Sequence, residues 1–246
     1  MILNLVVDIG NSRTKLAVFL KKELVESWTV DELKIGRLEE IRNVYPDIDR
    51  AILSTVSTAD PQVIGFLKSE YNYFLELNDL TPVPIINQYK TPHTLGLDRL
   101  AAAIGACELF PGKDLLVIDA GTAITFDLIE NNGIFKGGNI SPGLRSRFRA
   151  LHEFTKNLPL IEETEEYPVI GQTTEEAIRA GVINGMVFEI DGTIGLFRKT
   201  LPALQPLLTG GDALFFERRL KNAIFVKFEI TLIGLNRILE YNVEKQ

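Results

Sequence analysis

One short pattern occurs twice in this chain, about a hundred residues apart, and it constrains the fold more than any other feature. The first copy, residues 3–19, is an apolar run, the turn Asp-Ile-Gly-Asn-Ser, and a second apolar run. The second copy, residues 115–127, repeats this order around the turn Asp-Ala-Gly-Thr. Each copy predicts a β-hairpin, because its glycine allows a positive φ or the close approach of a ligand. Two similar hairpins predict a chain built from two related halves.

The turns are typical of phosphate-binding hairpins. The first turn leads into a strand, whereas a dinucleotide-binding turn leads into a helix and carries three spaced glycines. Two such hairpins facing one another would surround a polyphosphate with backbone N–H groups and hydroxyls, and their carboxylates could hold a bridging metal ion. A simpler interpretation stays open, since aspartate is favoured in ordinary turns.

Side chains in the two turns supply what phosphoryl transfer needs, which is positioning and neutralisation of charge. Asp8 ends the first strand, where its carboxylate could bind Mg²⁺ through water beside the phosphates. Lys15 could place a positive charge there, although an exposed strand lysine would look the same in the sequence. We therefore expect a polyphosphate site that includes Asp8, Gly10, Asn11, Ser12, Lys15 and Thr122.

Apolar periodicity and breaker residues predict an α/β chain of two domains. Pro111-Gly112 is the expected boundary, which divides the chain into residues 1–112 and 113–246. A long helix is predicted to begin after a threonine cap at Thr173 or Thr174. Further strands are predicted at 24–30, 50–56, 74–77 and 83–86, and further helices at 31–45, 61–71, 97–109 and 230–241.

The two turns resemble the phosphate-1 and phosphate-2 motifs of the superfamily of acetate and sugar kinases, Hsp70 and actin. Three further motifs narrow the resemblance: Gly-Leu-Asp-Arg at 96–99, Gly-Gly-Asn-Ile-Ser-Pro-Gly at 137–143, and Thr-Gly-Gly-Asp at 209–212. Together the five motifs are similar to those of type III pantothenate kinases. The resemblance implies two ribonuclease-H-like (actin-like ATPase) domains with an interdomain cleft, a fold that the periodicity also fits.

The resemblance implies ATP-dependent phosphorylation of pantothenate to 4'-phosphopantothenate, the first step toward coenzyme A. It implies that Asp98 is the general base and that Arg99 contacts the acceptor, whose carboxylate matches the arginine fork. Asp98 could instead be only a helix cap, Tyr89 a loop residue, and Thr174 the cap of its helix. The implied acceptor contacts are Tyr89, Gly96, Leu97, Asp98, Arg99 and Thr174, and the implied adenosine contacts are Gly210 and Gly211.

The resemblance also implies a second cation and a second subunit. Asp119 would bind K⁺ or NH₄⁺, and the acceptor site would lie at the interface of a homodimer. The helix expected around 181–197 contains four glycines, which would permit close helix packing across such an interface or within one subunit.

Composition and charge exclude several other classes of protein. The formal net charge of −7 argues against nucleic acid or an anionic membrane as the main partner. We expect no membrane span, because no apolar run reaches roughly 18 residues, and we expect no signal peptide. The single cysteine excludes an intrachain disulfide. These observations predict a cytoplasmic protein.

Two other functions remain to be weighed. A sugar kinase or exopolyphosphatase of the same superfamily would share the two turns, but the short chain and the motif at 96–99 count against it. A kinase-like transcriptional accessory factor would need no catalysis. The presence of Asp8, Asp98 and Asp119 together argues against that second alternative.

Overall fold

The computed structural model describes residues 2–56 and 59–245, which form two compact units. Unit 1 contains the chain up to Pro111, residues 133–135, and the segment from Glu229 onward. Unit 2 contains residues 112–132 and 136–228. The chain therefore leaves unit 1 after Pro111 and returns to it for the C-terminal helix.

Unit 1 is built on a five-stranded sheet with the order β3-β2-β1-β4-β5. The first three strands are antiparallel neighbours, and β4 and β5 continue the sheet in parallel. Its elements are β1 (Leu3–Ile9), β2 (Thr14–Leu20), β3 (Glu23–Val30), α1 (Ile35–Val44), β4 (Ile48–Thr55), α2 (Pro61–Glu70), β5 (Tyr73–Glu76), β6 (Ile86–Asn87), α3 (Leu97–Leu109) and, after unit 2, α7 (Ile230–Val243).

The two faces of this sheet carry different helices. Leu5 and Val7 point into a core that includes residues of α1 and α2. Since side chains alternate along a strand, Asn4 and Asp8 point to the opposite face. On that face Asn4 hydrogen-bonds to Asn236 of α7. The carboxylate of Asp8 therefore lies on the face that α7 covers.

Unit 2 is built on the order β11-β10-β7-β8-β9. The long helix α5 packs in its core with residues of β7, β8 and β10. At the start of β9, residues 134 and 135 belong to unit 1, where they pair with β6. The elements are β7 (Leu115–Ala120), β8 (Ala123–Glu130), β9 (Ile134–Pro142), α4 (Leu144–Phe154), α5 (Thr174–Arg198), β10 (Gln205–Thr209), α6 (Ala213–Glu217) and β11 (Phe225–Val226).

By length and composition alone, α5 is a helix that could cross a membrane, which the sequence reading had not anticipated. Its contacts favour a core helix. One face is buried among the apolar residues of unit 2. Charged residues of α5 also have partners within unit 2. Glu189 pairs with Arg147. Asp191 accepts hydrogen bonds from the backbone of Lys221 and Asn222.

One strand prediction was wrong. The segment 83–86 was expected to be a strand, yet only Ile86–Asn87 forms one. Pro82 and Pro84 remove backbone donors and restrict φ, so the pairing can begin only after them.

Candidate active site

The first turn joins β1 to β2 and is closed by a hydrogen bond from Gly10 N to Arg13 O at 3.1 Å. The Asn11 and Ser12 side chains are exposed at the turn, whereas Asp8 is only 7% exposed. Lys15 lies directly opposite Asp8 in the antiparallel pair and is half-buried, so it is not a fully solvated strand lysine. All five residues that we expected at this turn are thus brought together in unit 1.

Ser54 lies beside Asp8 on the parallel strand β4 and was not among the expected site residues. Its side chain is completely buried, and its hydroxyl has no hydrogen-bond partner among the described residues. A serine 46 positions away could be connected to the turn only through the register of a parallel pair, which no local pattern reveals.

The second turn joins β7 to β8 and is closed by a hydrogen bond from Gly121 N to Ala123 O at 3.0 Å. The N-terminus of α4 packs on it. Gly143 N and Ser146 Oγ both donate to Thr122 O, at 3.1 and 2.7 Å. A Cβ at Gly143 would lie less than 3.0 Å from both carbonyl oxygens of the turn, so only glycine fits there. Ser146 is a second residue that the sequence reading missed.

Gly210 also lies against this turn. It has φ +96, and a Cβ there would lie less than 3.0 Å from Ala120 O and from Asp119 Oδ1. The backbone N–H of Asp212 donates to Ala120 O at 3.0 Å. Gly211 has no atom within 4 Å of where its Cβ would be, which leaves room for a ligand. Unit 2 therefore brings Asp119, Gly210 and Gly211 to one place.

A charged cluster borders this glycine turn. Burial raises the pKa of the Asp212 carboxyl, and the positive charge of Arg145 opposes that shift. Arg145 Nη2 also lies 3.3 Å from Glu163 Oε1.

The motif at 96–99 opens α3. Gly96 is the N-cap residue, so Asp98 is not the N-cap and instead lies in the first turn of the helix. Asp98 Oδ1 accepts a hydrogen bond from Arg99 N at 2.9 Å, and a Cβ at Gly96 would come within 2.5 Å of this oxygen. Glycine at 96 thus leaves space for the Asp98 carboxylate.

Tyr89 and Arg99 are also brought together. Arg99 is 8% exposed, and its Cζ lies 5.8 Å from the centre of the Tyr89 ring. The Tyr89 ring packs on Phe135 at 6.3 Å, and its backbone N–H donates to Asn87 Oδ1 at 2.9 Å. The loop at Tyr89 is therefore held in place by packing and hydrogen bonds.

Thr174 lies elsewhere in unit 2. The cap of α5 is Thr173, whose hydroxyl accepts from Glu176 N while the Glu176 carboxylate accepts from Thr173 N. Thr174 is the first residue of the helix and lines a largely apolar cavity of about 780 Å³ together with Arg147, Leu151 and others. The side chain of Thr174 is exposed and does not serve as the cap.

No group of three or more histidine, cysteine or acidic side chains suited to hold a metal ion occurs within residues 2–56 and 59–245. A cation at Asp8 or Asp119 would therefore need further ligands from phosphate, backbone oxygen or water. That arrangement is normal for Mg²⁺, which keeps several waters and is commonly held by one or two carboxylates plus phosphates.

The two mixed α/β units have the predicted fold, that of the actin-like ATPases and sugar kinases. The solved activator of the 2-hydroxyisocaproyl-CoA dehydratase from Clostridium difficile has this fold. It aligns with a TM-score of 0.53 at 14% identity, over 99% of this chain and 95% of that chain. Such a low identity supports the fold alone.

Comparisons of sequence identify the family within this class. The family model described as type III pantothenate kinase matches residues 4–195. A type III pantothenate kinase of Phocaeicola vulgatus is 48% identical, over 98% of this chain and 99% of that protein. A solved Campylobacter jejuni protein, described as a candidate Baf family transcriptional activator, is 26% identical with a TM-score of 0.61, over 98% of this chain and 99% of that chain. The chain belongs to the type III pantothenate kinase family.

The capping box yields a test of stability. Replacing Thr173→Ala should lower the free energy of unfolding by about 1 kcal/mol, because it removes the hydroxyl that accepts from Glu176 N. The matched variant Thr174→Ala should change the free energy of unfolding by no more than about 0.5 kcal/mol, since Thr174 is not the cap. Denaturant titration of both proteins measures the difference, and equal losses would show that the cap assignment is wrong.

Proposed function

We propose that this chain transfers the γ-phosphoryl group of ATP to pantothenate and forms 4'-phosphopantothenate, the first step of coenzyme A biosynthesis. The observation that carries the proposal is its near full-length similarity, at 45% and 48% identity, to type III pantothenate kinases. The family match over residues 4–195 supports it independently. A protein with this activity would work in the cytoplasm, where ATP is available.

The description of the Campylobacter relative raises a role in transcription as the alternative. That relative is less similar than the pantothenate kinases, at 26% identity. The net charge of −7 also does not suit binding to nucleic acid. We therefore prefer the kinase.

We assign the acceptor chemistry to the first turn of α3. The attacking primary alcohol must lose a proton, and the half-buried Asp98 carboxylate can accept it late in a loose transition state. Arg99 would bind the pantothenate carboxylate, and its contact with Tyr89 would hold the guanidinium in position. Gly96 and Leu97 would contact the acceptor through the backbone, and Thr174 from the cavity in unit 2.

We assign the nucleotide to the two hairpin turns. The first turn would bind the β- and γ-phosphates through Asn11, Ser12 and Gly10, with Lys15 as a nearby positive charge. Thr122 would supply a hydroxyl, and the open position at Gly211 beside Gly210 would admit the adenosine. Kinases of this kind use a divalent metal with ATP. Asp8 suits Mg²⁺ because its carboxylate offers oxygen ligands and lies at the end of β1, next to the turn. Mg²⁺ when bound neutralises charge on the phosphates.

We also propose a K⁺ or NH₄⁺ site at Asp119 and a homodimer through α5. The positions for a Cβ at Gly181, Gly185, Gly192 and Gly195 have no atom within 4 Å among the described residues. On the same helix Phe188 is 66% exposed and Leu196 61% exposed. Packing within the subunit therefore does not account for these glycines, and a second copy of the helix could cover them.

The substrate is tested with the purified protein. Pantothenate, ATP and Mg²⁺ should give 4'-phosphopantothenate and ADP, measured by mass spectrometry and coupled ADP release. A panel of sugars serves as the control. Turnover of a sugar without turnover of pantothenate would contradict the proposed acceptor.

The general base is tested with Asp98→Asn, which keeps the size of the side chain but removes the base. We expect kcat to fall by about 10²-fold or more, on the usual scale of general-base catalysis. The exposed Asp79→Asn in the same unit is the control and should keep its activity. A kcat for Asp98→Asn within threefold of the parent protein would leave Asp98 without a catalytic role.

The second cation and the dimer are tested together. Activity should rise when K⁺ or NH₄⁺ replaces Na⁺, and Asp119→Ala should abolish most of that response, because the ion offsets negative charge near bound anions. Light scattering should give the mass of a dimer, and Phe188→Asp should give a monomer while the exposed loop variant Leu160→Asp does not. Equal rates in Na⁺ and K⁺ would argue against the ion, and a monomeric parent protein would argue against the shared site.

A further inference from the structure

The C-terminal helix α7 touches α3 through backbone atoms. A Cβ at Gly234 would lie less than 3.0 Å from Ala101 O and from Gly105 N. In the reverse direction, a Cβ at Gly105 would lie less than 3.0 Å from Ile230 O. Because backbone atoms cannot turn aside as a flexible side chain can, any larger residue at either position must push the two helices apart.

This crossing lies close to the proposed general base. Ala101 is three residues after Asp98 on the same helix, which is slightly less than one turn. The hydrogen bonds of the helix make α3 a rigid element, so a displacement at Ala101 is carried to its first turn. The position of Asp98 therefore depends on how closely α7 approaches.

The same stretch of α7 is bound to the strand that carries Asp8. Asn236 Oδ1 accepts a hydrogen bond from Asn4 Nδ2 at 2.9 Å, and Asn236 Nδ2 donates to Lys21 O at 2.8 Å. Asn4 and Asn236 are 2% and 3% exposed, so loss of either bond would leave a buried polar group without its partner. Asn4 lies on β1 and on the same face of the sheet as Asp8.

We propose that α7 is the positioning element of the active site, and that it sets the separation of Asp98 from Asp8. Gly234 fixes the distance to α3, and Asn236, two residues further on, fixes the distance to β1. This inference deepens the proposed function, because it takes Asp8 and Asp98 to act in phosphoryl transfer. A misplacement of reacting groups by about 1 Å can cost about 10²-fold in rate, so a contact outside the site can control kcat.

The test compares Gly234→Ala with Gly65→Ala in the full-length protein. Gly65 is an exposed glycine inside α2, and its Cβ position has no neighbour within 4 Å. We expect kcat of Gly234→Ala to fall about 10-fold or more, while KM for ATP changes less than about threefold, because the displaced group is the base. Amide hydrogen exchange over residues 97–101 should become faster in Gly234→Ala and not in Gly65→Ala.

A folded Gly234→Ala protein with kcat and exchange equal to the control would overturn the proposal. If Gly234→Ala does not fold, Asn4→Ala is the second variant, because it removes the bond to Asn236 without a steric clash. A fall in its kcat of about threefold or more at unchanged KM for ATP supports the proposal. A kcat equal to that of the parent protein, measured well below its melting temperature, overturns it.

This outcome is separate from the fate of the proposed function. The proposed function fails if the parent protein does not phosphorylate pantothenate, and this result needs no variant. Failure of the positioning role is hydrogen exchange over residues 97–101 that is the same in Gly234→Ala as in Gly65→Ala, which is measured without any substrate.

Discussion

Direct contact between backbone segments is the constraint on which most of this structure depends. In unit 2, Gly143 and Gly210 let the start of α4 and the end of β10 lie against the turn that follows Asp119. In unit 1, Gly105 and Gly234 let α7 lie against α3. Each contact leaves no room for a side chain, so each fixes a distance that packing of larger side chains could only approximate.

The contacts matter because they lie beside polar groups whose positions decide the chemistry. Asp119 Oδ1 lies where a Cβ at Gly210 would collide with it, and Asp98 Oδ1 lies close to where a Cβ at Gly96 would be. Glycine at both positions leaves these carboxylates free of steric displacement. The proposed general base and the proposed cation ligand therefore share one structural device, although they lie on different elements and in different units.

Charge sets the second requirement. A chain of net charge −7 that binds ATP must neutralise phosphate locally, with a lysine, backbone donors and cations. The half-buried Lys15 opposite Asp8 fits this need, and so do exposed Asn11 and Ser12 at the turn.

The sequence by itself determined the local elements and the family. The hairpins around Asp8 and Asp119 and the helix that begins beside Asp98 follow from neighbours along the chain, because turn residues and apolar periodicity act over a few positions. Only the tertiary structure decided which distant segments meet. The burial of Ser54 beside Asp8, the bond from Ser146 to Thr122, and the return of α7 to unit 1 depend on strand register and helix packing. Those features depend on how segments that are distant in the sequence pack against one another, so no short stretch of sequence predicts them.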